Sequence, residues 1–571
     1  MKTKQPVTIE LSVYPARNYN YLDRLVDAEG IPYFNIFWGN PSAAAHDWPD
    51  WGDVMTRQFQ AAIMGRLMTG KKCANEDRWR AKIKTYIAPD GMLYRPATVY
   101  SQNVADLGDA MLTFYSLTTA AIEDGTEESK KMVFDMAASL LKRYYEKMEN
   151  FGFGMGFGIK GFMVAARYLN CKDALTLAGL VSGNIMNSHE AFSEDNNFRH
   201  GGHMHGNLRV LSGIADYALY INDAVMFSRV DAIYRYVVEA ATTSFGFILE
   251  GTGRNDDIIG CETCTIMDYL GTAVTLANHG HPEYFDNIER IVRNHLIESQ
   301  YNGGWLKGEN KADSEYETTK DLGDRLVGAY AGWSSPTHFL AAKETLNAHW
   351  GQQVPHLVNR VRAFQNCCGG SGTHAFFIAW CNQARFDNNT LTVNLHLDKL
   401  LPQAEIRCFQ PWEGRTQIML KAACKVKIRI PDFIKRTRAE WKVKLNGQEI
   451  KPALIRGNYM YFDELPANSM LEYMYDLIEY HTTESIGNSE CRQYRYDVTW
   501  KGATVVEMKP AGRQYKTGYS DFDKKNVEVF FGEDGPLRLY QREWMRKAAK
   551  AELSKLVPDS GKLNFWNNLS K

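Results

Sequence analysis

At 571 residues the chain is too long for one hydrophobic core and long enough for two or three domains. Hydrophobic residues make up 44% and charged residues 23%, which excludes disorder. The 66 Lys plus Arg against 67 Asp plus Glu leave a formal net charge of -1, which argues against a nucleic-acid partner and against an anionic membrane surface. No apolar run reaches the ~18 residues of a membrane span. The basic N-terminus lacks a following apolar stretch, so the chain as written is expected to be cytoplasmic, a trimmed signal leaving a periplasmic or secreted location open.

From about residue 50 to 385 the pattern is helical. Asp53 to Thr69 places Val54, Phe59, Ala62, Ile63 and Leu67 at helical spacing, and similar runs follow at 105–123, 128–148, 161–181, 205–222, 224–243, 263–278, 282–299 and 372–384. So many helices with few strand signals between them predict a closed double ring of paired helices. An open solenoid is the rival, weakened because no repeat of fixed period occurs. After about residue 387 the texture changes to β-formers: 393–397, 417–431, 440–445, 458–462, 471–475, 493–499 and 503–508. Asn446-Gly447 marks a two-residue hairpin. The expected division is a helical catalytic domain with an N-terminal extension at 1–386, then a β-sandwich region at 387–571 with a basic helix near 540–556.

Ten cysteines are too sparse for a disulfide scaffold, but Cys261 and Cys264 lie three apart and Cys367 and Cys368 are adjacent. Thiolates prefer zinc, and three of them with one carboxylate complete a tetrahedral shell. Spacing alone leaves three readings open: a zinc site, buried inert thiols, and a redox dithiol at Cys261/Cys264. The adjacent pair can face one metal only where the backbone is irregular, and Gly369-Gly370 is read as the source of that freedom. His200, His203 and His205 cluster before a helix. His46, Asp47 and Trp48 concentrate a ring and a carboxylate before the first strong helix, a combination suited to sugar C–H faces and hydroxyls, or equally to a helix cap and packing. Gly156 to Gly161 satisfies GxGxxG but follows a helix and not a strand, so it reads as a loop bordering the helical ring.

The ETC motif (Glu262 to Cys264) with its following helix, the Cys-Cys pair leading into VNLHL, HMHGNLRVLSGIADYALYIND, and VKIRIPDFIKR followed by VKLNGQEI together resemble glycoside hydrolase family 127, the β-L-arabinofuranosidases. That resemblance implies a multidomain α+β chain, an (α/α)6 barrel followed by β-sandwiches. It implies zinc held by Glu262, Cys264, Cys367 and Cys368, with Cys367 as nucleophile of a retaining hydrolase cleaving a furanosidic or otherwise unusual sugar from a plant or bacterial glycan. It makes Glu250 the acid/base candidate, with Asp256 or Asp257 behind it, and His203 and His205 sugar contacts. It also implies a homodimer formed through the sandwiches. Two departures stand out: Gly369-Gly370-Ser371 replaces the prolines and asparagine usual after the cysteine pair, and the interval from Glu250 to Glu262 is short. Two alternatives stand beside this reading. One is a hydrolase or lyase on acidic sugars using His and Asp, with structural zinc, which Arg199 or Arg209 facing the sugar site would mark. The other is a non-catalytic glycan-binding relative.

Overall fold

The computed structural model describes residues 8–509 apart from 38–40, 147–152, 200–202, 251–260, 304–305, 333, 335, 337–361 and 487–493, together with 515–516 and 528–529. His200, Asp256, Asp257 and the helix expected near 540–556 lie outside the described residues. The helices in chain order are α1 (Val13–Arg24), α2 (Val54–Thr69), α3 (Asn75–Tyr86), α4 (Leu107–Asp124), α5 (Glu127–Tyr145), α6 (Phe153–Gly156), α7 (Ile159–Leu169), α8 (Lys172–Ser188), α9 (Met204–Tyr220), α10 (Ala224–Ala241), α11 (Thr263–Asn278), α12 (Tyr284–Ile291), α13 (Leu322–Arg325), α14 (Cys367–Gln383) and α15 (Asp432–Thr437).

Six of them form a closed circuit. α2, α4, α7, α9, α11 and α14 each pack on the next, and α14 returns to α2. Outside this circuit, α3 lies on α2, α5 on α4, α8 on α7 and α9, α10 on α9 and α11, and α12 on α11, while α1 bridges α2 and α14. The sequence explains the two layers. α2 is buried on nearly every side, as an inner helix must be, whereas α5 and α10 bury one stripe each. Side-chain caps start several helices: Asp106 accepts from Asp109 N at 3.2 Å, and Asp223 accepts from Met226 N at 2.9 Å. Gly70 and Gly125, both left-handed, end α2 and α4.

The run expected at 161–181 is two helices. Asn170 adopts a left-handed φ of 56°, which its short polar side chain tolerates, and this closes α7 before α8 begins. α14 starts at Cys367, five residues before the expected 372. α1 and α3 lie outside the helical runs read from the sequence. A small sheet ordered Glu317–Thr318, Ala43–Ala45, Asn35–Phe37, Arg362–Gln365 carries the chain straight into α14.

The C-terminal part is built of sheets. A five-stranded sheet (order Leu454–Arg456, Tyr459–Leu465, Cys424–Arg429, Thr390–Val393, Ala384–Asp387) and a six-stranded sheet share one core. Leu391, Val426, Ile428 and Met460 enter that core from the first, and Ile406, Ile418, Val443, Leu471 and Tyr473 from the second. The strict alternation of burial along Ser469–Tyr475 is the period-two pattern that such packing requires. The strand expected at 393–397 ends at Val393, because the next residues turn inward and His396 Nε2 reaches the Arg429 carbonyl at 2.8 Å. A third sheet, Glu479–Ile486, Tyr494–Lys501 and Thr504–Lys509, lies mainly on the helical part, with Tyr496, Val498, Trp500, Val505 and Met508 in the helical core, while Tyr480 and the turn residue Ala503 touch the core of the two larger sheets. No helix among the described residues is long and apolar enough to cross a membrane.

The two parts are fastened by a buried charge network. Arg429 pairs with Asp286 and Glu289 of α12, Arg293 donates to Glu289 at 2.8 Å, and His396 N donates to Glu289 Oε2 at 3.1 Å.

Candidate active site

The starts of four inner helices meet at one end of the circuit. Glu262 occupies the N-cap position of α11 and Cys264 its second helical position, while Cys367 and Cys368 are the first two residues of α14. Because α11 and α14 are neighbours, their four donor atoms fall within 4.8 Å of one another, all buried. Cys264 Sγ lies 3.5 Å from Cys368 Sγ, and Cys367 Sγ lies 3.9 Å from Glu262 Oε2. Tetrahedral zinc–thiolate and zinc–carboxylate bonds place donors about 3.5–3.8 Å apart, so these two separations are close to what that ion requires and the chemistry of the donor set suits it. Two helix N-termini aimed at the cluster also favour the negative charge that such ligands carry.

Cys261 stands apart. Its Sγ donates to the Glu262 carbonyl at 3.1 Å and its backbone pairs with Ser334, and it is not one of the four residues whose donor atoms meet. Gly369 and Gly370 also differ from expectation. They are ordinary helical residues of α14, and their role is close approach: a Cβ on Gly369 would lie 2.3 Å from Tyr21 Oη, and one on Gly370 would lie 2.6 Å from the Arg57 backbone. The pair reaches one donor set from the first turn of a helix, where Cys367 and Cys368 open α14.

Glu250 is brought to the cluster and is only 2% exposed. Its carboxylate accepts from His205 N at 3.2 Å and Glu262 N at 3.3 Å, and from the Thr265 hydroxyl. Burial, then the charge of Glu262, pushes it up to about 7. His203 stands at the N-cap position of α9 with its side chain 53% exposed, and its Nε2 lies 3.4 Å from Glu262 and 3.8 Å from Glu250. Desolvation opposes its charge, but the hydrogen bond to Glu262 and the field of Glu250 raise it to about 9. His205 is buried behind this front, its Nδ1 bonded to Asp268 and its Nε2 3.5 Å from the Arg57 guanidinium. It therefore sits one layer below the open face of the site.

The segment His46 to Trp48 faces inward more than expected. His46 Nδ1 bonds Asp50 at 2.6 Å between the rings of Tyr33 and Tyr100, and burial lowers it to about 4. Asp47 accepts from Trp48 N at 2.8 Å in a capping box with Asp50. Trp48 is half-buried, with the Arg95 guanidinium 4.2 Å over its ring. Asp53, at the N-cap position of α2, pairs with Arg57 one turn on. The GxGxxG segment is not the loop expected from the sequence: Gly156 ends α6 and Ile159 to Gly161 open α7, with a two-residue turn between them, where the Phe157 carbonyl accepts from Arg209 Nε at 3.0 Å and the Phe157 ring meets His205 edge-on. Arg209 is buried beside the site, and Arg199 is exposed.

Arg57 and Asp268, which surround the cluster, were not singled out from the sequence, and Ser371 was noted there only as a departure after the cysteine pair. Arg57 Nη1 donates to Cys264 Sγ at 3.5 Å and to Ser371 Oγ at 3.2 Å, and Ser371 Oγ lies 3.2 Å from Cys264 Sγ. The i, i+4 spacing of Asp53 and Arg57 was the available signal for a fixed guanidinium.

No family model matches the chain, and no curated protein matches it either. Solved structures do match, among them carbohydrate-active enzymes: a protein described as a glycoside hydrolase superposes with TM-score 0.55 at 13% identity over 85% of each chain. Within that class, the GH127 β-L-arabinofuranosidase Ara127N of Geobacillus stearothermophilus T6 covers 87% of this chain and 80% of its own, at 14% identity and TM-score 0.54. A second GH127 β-arabinofuranosidase covers 88% and 81%, at 16% identity and TM-score 0.55. The chain has the fold of these enzymes, the family whose motifs its cysteine and glutamate segments resemble.

Proposed function

We propose that this protein is a divergent family 127 glycoside hydrolase: a zinc-dependent, retaining, β-L-arabinofuranosidase-like enzyme that removes a terminal furanosidic or otherwise unusual sugar from a glycan. The observation that carries the reading is the buried Glu262, Cys264, Cys367, Cys368 donor set at converging helix starts, in a fold shared with those hydrolases. In this reading the six inner and six outer helices are an (α/α)6 barrel at 1–386, and the two sheets sharing one core are the β-sandwich that follows. A homodimer through the sheets belongs to the same proposal.

Zinc, held by those four residues, would keep its sulfur ligands deprotonated at neutral pH. The chain's own residues do the rest. The Cys367 sulfur bonds to the anomeric carbon as the glycosidic C–O bond breaks, and the leaving oxygen takes a proton from Glu250. Water then attacks the same carbon from the side the leaving group vacated, Glu250 takes its proton, and the C–S bond breaks. A Glu250 raised to about 7 by burial is poised near neutral pH, where it can give up that proton and take it back. His203, half exposed beside Glu262, and Trp48 are the sugar contacts, while His205, His46 and Asp47 hold the wall behind them.

One observation favours a second reading. The Glu250 carboxylate is already engaged by two backbone N–H groups and a hydroxyl, as a brace joining the starts of α9 and α11 would be. With that role, the chain is a glycan-binding relative or uses another acid. Zinc content and hydrolysis of an aryl β-L-arabinofuranoside test the first reading, with Cys367→Ser and Glu250→Gln variants. About one zinc per chain and activity lost in Cys367→Ser support it. Glu250→Gln that keeps full activity on a glycoside with a poor leaving group removes the acid/base assignment. A protein without zinc removes the site.

A further inference from the structure

The three sulfurs of the cluster do not have equal surroundings. Cys264 Sγ receives the Arg57 guanidinium at 3.5 Å and stands 3.2 Å from the Ser371 hydroxyl. Cys368 Sγ touches Cys264. Cys367 Sγ meets Glu262 Oε2 at 3.9 Å and the Gln365 carbonyl at 3.8 Å, both oxygens that accept, and among the described residues no N–H or hydroxyl is hydrogen-bonded to it. Cys367 is also the one of the three with any exposure, 4% against none for the other two.

The charge count makes this asymmetry matter. A dication with three thiolates and one carboxylate carries a net charge of about −2, and burying it requires a nearby cation. Arg57 is that cation for the sulfur side. It is buried and oriented from one end by Asp53 on its own helix, and α14 packs on its backbone through Gly370. Once Cys264 is deprotonated, the Ser371 hydroxyl must turn to donate to it, while its lone pair accepts from Arg57 at 3.2 Å. A thiolate that accepts charge-assisted hydrogen bonds is a weaker nucleophile, since its lone pairs are already committed.

We propose that Arg57 and Ser371 are positioning residues that make Cys264 the spectator sulfur of the metal shell, leaving Cys367 as the one sulfur presented to the sugar. Ser371 is one of the residues by which this chain departs from the family pattern after the cysteine pair, so the device belongs to this chain. The inference rests on the metal reading above and deepens it.

The test uses the full-length protein, with Arg57→Met, Arg57→Lys and Ser371→Ala. Each is loaded with Co²⁺, a spectroscopic replacement for zinc, and the thiolate-to-metal charge-transfer band is recorded. Zinc affinity is then measured by chelator competition. Removing donors from a sulfur raises its electron energy, so the band should move to longer wavelength, most in Arg57→Met, less in Ser371→Ala, with Arg57→Lys between them and wild type. Zinc affinity should fall about 10- to 100-fold in Arg57→Met, the usual effect of losing a partner of a metal ligand. Bands at wild-type position in well-folded variants overturn the proposal, because a merely structural Arg57 would change yield or melting and leave the band in place. If Arg57→Met fails to fold, Ser371→Ala decides by itself. A wild-type protein that binds neither metal overturns the metal reading and this assignment together, whereas metal bound with unmoved bands overturns this assignment alone.

Discussion

Two buried polar clusters in this molecule look alike and differ in one respect. At the junction of helices and sheets, the carboxylates of Asp286 and Glu289 face the guanidiniums of Arg293 and Arg429, and His396 and Thr504 take up further bonds. Every charge there has its opposite within the cluster. Burial would raise Glu289, but Arg293 and Arg429 outweigh it and hold it at about 2. At the helix starts, Glu262, Glu250, Cys264, Cys367 and Cys368 outnumber the cations beside them, which are Arg57, already shared with Asp53, and His203, which faces the two glutamates. A cluster balanced within itself fastens two parts of a fold. One short of positive charge is built to receive it from outside. Lone thiols give the third case: Cys381, buried without a partner donor set, is pushed up to about 12 by burial and stays inert.

The largest effect should come from unbalancing the first cluster. Arg429→Met leaves Glu289 with Arg293 alone and Asp286 with only the more distant field of Arg290, and breaking one side of such a network costs about 3–5 kcal/mol. Denaturant unfolding should show that loss while zinc content per chain stays at the wild-type value. A loss below about 1 kcal/mol would mean that water reaches the network, and the contrast with the second cluster would fail.

Acid should sharpen the same contrast. Glu289 has a folded pKa of about 2, below its unfolded value. Its contribution is therefore fully present above that unfolded value, about 4.3, and is lost as pH falls towards 2. Asp286, raised by burial, works in the opposite sense and makes the net loss smaller than Glu289 alone would give. Melting temperatures measured between pH 5 and about pH 3 should fall in wild type and fall less steeply in Glu289→Gln. Parallel curves would remove Glu289 from the account.

The glycines of α14 test the second cluster through packing. In Gly370→Ala the new methyl meets the Arg57 backbone at 2.6 Å, so α2 and α14 must separate, at about 1–3 kcal/mol. Because Arg57 moves with that backbone, zinc affinity should fall too. Gly183 of α8 has open space where a Cβ would go, so Gly183→Ala should be neutral or stabilise by up to about 1 kcal/mol. Equal effects at both sites would show that helix propensity, and not the close approach of α2 and α14, governs Gly370.

What could be read from the sequence follows from what each residue type can do alone. Cysteines in pairs and a carboxylate beside one of them have few other uses, so Glu262, Cys264, Cys367 and Cys368 were legible as a group. Arg57, Asp268 and Ser371 are common residues whose meaning arises only when the circuit closes and sets α2 against α14, some 310 positions later, a separation no local pattern records. Gly369-Gly370 shows a subtler limit: glycine serves both backbone freedom and close approach, and only the position of Tyr21 and Arg57 decides between them. The strands after residue 387 were legible because alternation is local. That the last three-stranded sheet packs on the helices was not, since the inward face of a strand does not name its partner.

The smallest effect belongs to a turn where local reading was sufficient. Asn446-Gly447 joins Trp441–Leu445 to Gln448–Ile450, with φ of 50° and 84° at the two turn residues, the geometry a tight two-residue hairpin requires. Asparagine tolerates a left-handed backbone and glycine adopts it without strain, whereas alanine pays for its Cβ. Nothing lies within 4 Å of where a Cβ on Gly447 would sit, so Gly447→Ala changes the backbone term alone. The expected loss is about 1 kcal/mol, with zinc content and activity unchanged, read by chemical unfolding beside wild type. A loss several times larger would mean that this hairpin carries contacts beyond its own turn, and a coupled loss of zinc would tie the sheets to the helix starts through a path that the balanced network at Arg429 does not provide.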